Sequence, residues 1–372
     1  MQLRSVPDIR YLHIAKMLCC ILVYMTCLNL EAQEKAIPQE QSKDSVYEEY
    51  IIDQKKRFNV KLEVSNDIST FNIVNDDLEL NLKPNLNLRY ALVFSYKFLS
   101  VRIGIRPKVS DEEQEKKGGS DTFRLRLQLL FDNWNHVMEY RIDKGYYVSN
   151  TNSFTSTDTD IRIQFPEMSS NVLFGSSSYK LNKNYSMRAF QSQTEIQIKS
   201  AGSFMPGISY NFYRLSGLDV IKDTNGDRIT RDFYNQYEGV NLALLAGYYY
   251  TFVFKKNWFA NAYGVPSAGI DFYNVQSTSP IGSSNKTLSD FYLALHYGFG
   301  GGYNGDKFFF GTELKYRLTN EKFNSNKIQI SPSQNQFSIY FGYRFKAPKT
   351  ISKPVDMIED KVPILKDHPK GN

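Results

Sequence analysis

The chain has 372 residues, a formal net charge of +6 and 15% aromatic residues, 26 of them Tyr and 26 Phe, yet its mean hydropathy is only −0.44. That is too polar for a bundle of membrane helices, and past the first 32 residues no apolar run of about 18 residues could cross a bilayer as a helix. The mild basicity comes without a Lys/Arg block or a nucleic-acid motif, so nucleic acid is not an expected partner.

Arg4, Arg10 and Lys16 precede an apolar run over 17–30, and Leu30-Glu31-Ala32 offers a small residue before Gln33. Residues 1–32 therefore read as a signal peptide, with Met17 as a second candidate start. Cys19, Cys20 and Cys27 all lie in this leader, so the exported chain is expected to hold no disulfide, thiolate metal site or Cys nucleophile. Residues 33–56 are polar and aperiodic, and read as a flexible periplasmic N-terminal segment.

From there the apolar residues recur with period two, the mark of a strand. Alternation begins over 58–64. It resumes over 78–98, where Leu86, Leu88, Tyr90, Leu92, Phe94, Tyr96 and Phe98 oppose Asn87, Arg89, Ser95 and Lys97, and a tight turn leads into 101–106. A charged loop over 108–121 precedes strands at 123–131 and 134–148, joined at Asp132-Asn133. A Ser/Thr/Asn-rich loop covers 149–160. Strands follow at 171–181, 185–191 and 205–215, and 192–204 breaks the rhythm. After a polar loop at 216–237 come strands at 239–254 and 258–273, a second loop at 274–289, and strands at 290–303, 306–318 and 334–345.

In 306–318, Phe308, Phe310, Leu314, Tyr316 and Leu318 share one face, and Lys307, Gly311, Glu313, Lys315 and Arg317 share the other. A soluble sandwich would bury the apolar face and leave the charged one in water. An aromatic-rich face opposite a face charged along its whole length suits a membrane barrel, with lipid outside and water inside. The fold expected is thus all-β, a transmembrane antiparallel β-barrel over 57–346. Turns at 98, 132, 182, 255–257 and 304–306 fall on the periplasmic side and the long loops outside. The count gives 12 strands if 184–215 is one strand with an excursion, and 14 if it is three. The tail, 347–372, carries Pro348, Pro354, Pro363 and Pro369 and reads as a disordered periplasmic extension. Tyr343-x-Phe345 is similar to the terminal signal read by the barrel-assembly machinery, although Tyr340 stands where that signal usually has Gly.

Seven segments together resemble the family called domain of unknown function 4421. They are Tyr96-Lys97-Phe98-Leu99-Ser100, Lys144-Gly145-Tyr146-Tyr147, Ile163-Gln164-Phe165-Pro166, Ser192-Gln193-Thr194-Glu195, Lys199-Ser200-Ala201-Gly202-Ser203-Phe204, Gly247-Tyr248-Tyr249-Tyr250 and Gly342-Tyr343-Arg344-Phe345. The resemblance spans roughly residues 45–346. It implies an exported outer-membrane barrel of Gram-negative bacteria, chiefly Bacteroidetes, and it implies no activity and no catalytic residues.

The inward positions Arg102, Arg106, Arg124, Arg126, Glu139, Arg141, Glu313, Lys315, Arg317 and Arg344 are the candidate lumen lining. They form either a cationic passage for anionic solutes or a structural Arg–Glu network filling a narrow bore. Gln193, Glu195, Lys199 and Ser203 are candidates for a constriction, the alternative being a bulged strand and a loop. Asp223, Asn225 and Asp227 imitate a calcium loop, but Arg228 and Tyr234 stand where Gly and Glu belong, which favours a plain turn. Gly298, Gly300, Gly301 and Gly302 lie in a strand with no helix after them and carry no phosphate-site signal. A lipid-modifying enzyme would need a Ser–His pair. His136 has lipid-facing parity, His296 points inward and His368 lies in the tail, so no catalytic residue, cofactor or metal is assigned and an enzyme is not expected. The expectation is a monomer in the outer membrane, in contact with its lipid and forming a narrow pore or binding channel for small polar, anionic solutes. A non-conducting barrel that engages envelope partners and a lipid-modifying enzyme are the alternatives.

Overall fold

The computed structural model describes residues 49–361 apart from 67–69, 76–77, 87, 106–108, 154–159, 219–235, 256, 280–281 and 320–334. The strands, in chain order, are β1 (Ile51–Asp53), β2 (Arg57–Ser65), β3 (Phe71–Asn75), β4 (Leu78–Lys83), β5 (Arg89–Tyr96), β6 (Leu99–Ile105), β7 (Asp121–Leu130), β8 (Trp134–Val148), β9 (Gln164–Tyr179), β10 (Glu195–Gln197), β11 (Ala201–Ser216), β12 (Gln236–Phe254), β13 (Trp258–Ser279), β14 (Gly282–Asn304), β15 (Phe308–Thr319) and β16 (Asn335–Lys346). Helices are α1 (Asp111–Lys117), α2 (Met187–Gln191) and α3 (Lys349–Lys361).

Twelve antiparallel strands close on themselves in the order β2, β5, β6, β7, β8, β9, β11, β12, β13, β14, β15, β16 and back to β2. Closure matters because an open sheet edge cannot be satisfied in hydrocarbon. The joint is β16 against β2, from Ser338↔Ser65 to Lys346↔Arg57. Alternation then sorts the side chains. Phe337, Ile339, Phe341, Tyr343 and Phe345 of β16 stand exposed outside, and Ser338 and Arg344 are buried inside. The outer belt continues through Phe204, Ile208, Leu242, Leu244, Tyr248, Phe252, Phe291, Leu293 and Phe299. Crossing a bilayer takes about 9–11 tilted residues, so β13 with 22 residues and β14 with 23 rise well beyond it at the long-loop end.

At that end β4 takes up the free edge of β8 beyond the reach of β7, with Leu82 opposite Val148. An apolar core gathers inside, built from Phe71, Leu80, Leu82, Tyr146, Val148, Phe165, Met168, Leu215, Tyr237 and Val275. It depends on a bulge in β8 between Lys144 and Tyr146. Asp143 and Tyr146 are an odd number apart, yet both are 2% exposed and turned inward, because the extra residue, Gly145, absorbs the change of phase.

Five sequence expectations need correction. The loop expected over 274–289 is instead the paired extension of β13 and β14, from Asn274↔Thr287 to Ser279↔Gly282. Residues 185–191 are no strand: Ser186 caps the short helix α2, its Oγ accepting the Ala189 N–H at 2.8 Å. The stretch 49–56 of the segment expected to be flexible is ordered, because β1 pairs with β10. The loop over 108–121 carries α1, capped by Ser110 and laced by Lys116–Glu112 and Lys117–Glu113 at i,i+4 spacing. Residues 349–361 of the tail expected to be disordered form α3, because Val355 and Ile351 pack on Tyr96 and Phe98, and an apolar contact of this kind offsets the entropy of ordering. The calcium-like loop at 223–227 and His368 lie outside the described residues.

Candidate functional site

Between β9 and β11 the chain turns into the cylinder. Ser203 Oγ accepts the N–H groups of Leu181 and Asn182 at 3.1 and 3.0 Å, so the departing and returning ends are tied together at the wall. Inside, β10 pairs with β1 through Ile51↔Gln197, Ile52↔Ile196 and Asp53↔Glu195. Three connected pieces, β1, α2 and β10, thus plug the short-turn end.

Residues of β2, β14 and β16 and of the β7–β8 turn region grip this plug. Gln193, at φ 53, presents a carbonyl that accepts from Asn59 Nδ2 at 2.8 Å and from Arg344 Nη2 at 2.6 Å. Asn304 Nδ2 donates to the Glu195 carbonyl at 3.1 Å. Arg188 Nη1 lies 2.9 Å from Glu195 Oε1 and 3.1 Å from Asp132 Oδ1, and its Nη2 donates to the Leu130 carbonyl at 2.7 Å. Ser186 Oγ donates to Glu195 Oε2 at 2.6 Å. Burial alone would raise the Glu195 carboxyl, but Arg188 and Lys55, with the Ser186 hydrogen bond, hold it below its ordinary value. Leu130, Met187, Ala201 and Met205 pack around Tyr185 beneath.

The middle of the lumen is polar and charged. On the β5–β8 wall Arg89 meets Asp143 at 2.7 Å, and Arg102 of β6 reaches Glu63 of β2 at 2.8 Å. Glu139 is shared by Arg141 at 3.2 Å, Arg126 at 3.6 Å and Arg124 at 3.9 Å. A small pocket opens among Arg89, Arg102, Gly104, Thr122 and Arg124. Across the lumen the wall is tyrosine-rich: Tyr213 donates to Asp271 at 2.9 Å, Tyr273 to Asp290 at 2.6 Å and Tyr292 to Asn241 at 2.7 Å. Lys315 pairs with Glu313 at 2.9 Å.

The sequence candidates divide accordingly. Arg102, Arg124, Arg126, Glu139, Arg141, Glu313, Lys315 and Arg317 all fall on inward positions, Arg317 opposite His296 in register. Arg106 lies outside the described residues. Arg344 points inward but serves the plug, donating also to Asn304 Oδ1 and the Gly305 carbonyl. Gln193 and Glu195 are buried in the plug. Lys199 is not at a constriction; half exposed, it pairs with Glu49 at the rim. Ser203 ties down the base of the excursion and lines no passage. His136 faces outward, its Nδ1 2.9 Å from Ser177 Oγ and its ring stacked on Trp134.

Sequence reasoning placed Asp143 on the inward face, where it meets Arg89, but missed Asn59, Lys61, Glu63, Arg188 and Asn304. The parity of β2 already marks Lys61 and Glu63 as inward. Nothing in the sequence marks Arg188, whose partners on the barrel wall, Leu130 and Asp132, are 58 and 56 residues away.

A closed twelve-stranded cylinder with an apolar belt and a charged interior is a β-barrel of the outer-membrane type. The chain belongs to the family described as a domain of unknown function (DUF4421), whose model matches residues 42–345. No curated protein matches it. Among solved structures it is similar to the outer membrane protease OmpT from Escherichia coli, at 8% identity and a TM-score of 0.37 over 79% of this chain and 98% of that one. The translocator domain of the autotransporter NalP from Neisseria meningitidis gives 9% identity and a TM-score of 0.37, over 88% and 99% of the two chains. The Pseudomonas putida toluene transporter TodX gives 9% identity and a TM-score of 0.30, over 78% and 90%.

Proposed function

We propose that the protein is an outer-membrane conduit for small anionic, polar solutes, held shut in its resting state by its own plug, and that its short turns face the periplasm. The observation that carries this reading is the cluster of Arg124, Arg126 and Arg141 around the single carboxylate of Glu139, in a lumen stoppered by non-covalent contacts alone. Three guanidiniums gather on that one carboxylate, so this stretch of the wall is rich in positive charge where a solute would pass, and field lines focus in a low-dielectric cylinder. Arginine also matches carboxylate and phosphate oxygens in paired geometry. The acids Asp271 and Asp290 lie across the lumen on the tyrosine-rich side, each accepting a hydrogen bond from a phenolic hydroxyl, so a solute drawn to the guanidinium wall passes away from them.

The test is single-channel recording in a planar bilayer. Wild-type protein is expected to stay closed for most of the record. Arg188→Ala with Glu195→Ala should loosen the plug and give steady, anion-preferring current, and adding Arg124→Ala and Arg126→Ala should weaken that preference. A sealed bilayer for all variants, with the barrel folded, would instead favour a non-conducting structural barrel, the reading to which the many plug contacts lend weight. No catalytic role is proposed for His136 or His296.

A further inference from the structure

The helix α3 does not close the lumen. It lies against the outside of the barrel at the short-turn end. The residues it packs on, Tyr96 and Phe98 with Phe58, Leu99, Leu129 and Phe131, include Phe58, Tyr96, Leu99 and Leu129, which share the outward parity of Leu62, Tyr90, Ile103 and Phe123 in their own strands. This is the lower margin of the lipid-facing belt.

Helical spacing sorts α3 into two flanks. Asp356 and Glu359 turn toward Lys97 of the β5–β6 turn, which bonds both, the first at 2.7 Å. Lys353 and Asp360 are exposed beside them. On the other flank Ile351 and Val355 grip the barrel, while Pro354, Met357 and Ile358 are open, the last two exposed to 58% and 49%, with exposed Thr350 and Lys361 at the two ends of that flank. A helix with one charged flank and one flank apolar at its centre, whose terminal Lys361 can reach to headgroups, seated at the edge of a hydrocarbon belt, has the design of an element lying in the plane of the membrane interface.

We propose that α3 is an interfacial helix, with Met357 and Ile358 buried in the acyl boundary of the phospholipid leaflet on the short-turn side. This rests on the reading that the barrel spans a membrane. The occupant of the open flank is lipid because that flank continues an apolar belt that lipid already covers, and the charged flank, clamped by Lys97, fixes the rotation. The helix then sets the depth of the short-turn rim.

The experiment uses the full chain with C19S, C20S and C27S, reconstituted in phosphatidylethanolamine–phosphatidylglycerol vesicles and labelled with an environment-sensitive fluorophore at one introduced site. The sites are Met357→Cys, Ile358→Cys, Asp360→Cys and, in mid-belt, Leu244→Cys. The expected result is blue-shifted emission at 357 and 358, quenched by lipids brominated near the glycerol and less by lipids brominated at the chain ends. Position 244 should show the reverse depth profile, and 360 should emit as in water. Water-like emission at 357 and 358 with lipid contact at 244 would overturn the interfacial helix and leave the membrane barrel standing. Water-like emission at 244 as well would overturn the membrane reading itself.

Discussion

At Gly145 the backbone takes φ +82, and a Cβ there would lie 2.1 Å from the Gly119 carbonyl oxygen. One residue thus decides whether β8 beyond Asp143 faces inward and so whether Tyr146 reaches Phe71, 5.5 Å away between ring centroids. Gly145→Ala is expected to cost more than the roughly 1–2 kcal/mol of the left-handed region alone, read as a lower urea midpoint in vesicles, with the loss greatest in amide exchange over 71–83 and 163–168. Leu244 is the contrasting case, 69% exposed to the outside. Leu244→Arg would place a charge in hydrocarbon and should destabilise by about 2–4 kcal/mol in the same assay, whereas Arg126→Lys, on the inner wall, should leave the midpoint nearly unchanged. An equal loss for both would contradict the assigned faces.

The plug behaves as an element with its own pH dependence. Glu195 and Asp132 face Arg188, Lys55 and Lys180, and both carboxyls sit below their ordinary values. For Asp132, too, burial pushes upward and Arg188 prevails. A carboxylate depressed on folding stabilises fully above its unfolded pKa, and that contribution is lost as pH falls through the folded value. Protection of the amides over 184–200, taken relative to the intrinsic exchange rate at each pH, should therefore be high at neutral pH and fall as the pH drops below the ordinary carboxylate range. Glu195→Gln should be less protected at neutral pH and lose most of that acid dependence. Protection that is flat with pH in the wild type would mean that the Arg188–Glu195 pair does not hold the plug.

For the whole molecule, the closing pair β16–β2 carries a cooperative burden, since its loss exposes two strand edges in lipid. Ending the chain after residue 334 should abolish the heat-modifiable folded band on gels. Ending it after Lys346, which removes α3 but keeps β16 whole, should retain that band and lower only its melting temperature. The converse pattern would place the folding determinant in the tail.

Much of this was legible in the order of residues. Period two with aromatics on one face and charges on the other is local, and it fixed the barrel, the inward parity of Arg124, Glu139, Lys315 and Arg317, and the twelve strands once 184–215 was taken as a single strand with an excursion. What lay beyond the sequence was where that excursion goes. Pairing between β1 and β10, Arg188 reaching Asp132, and Arg344 reaching the Gln193 carbonyl join residues 56 to 151 positions apart, and no periodicity encodes such contacts. The same holds for α3, too short and Pro-interrupted to announce itself, which is helical because Tyr96 and Phe98 offer it a surface. Alternation sets which side a residue faces, while only the closed cylinder decides what it meets there.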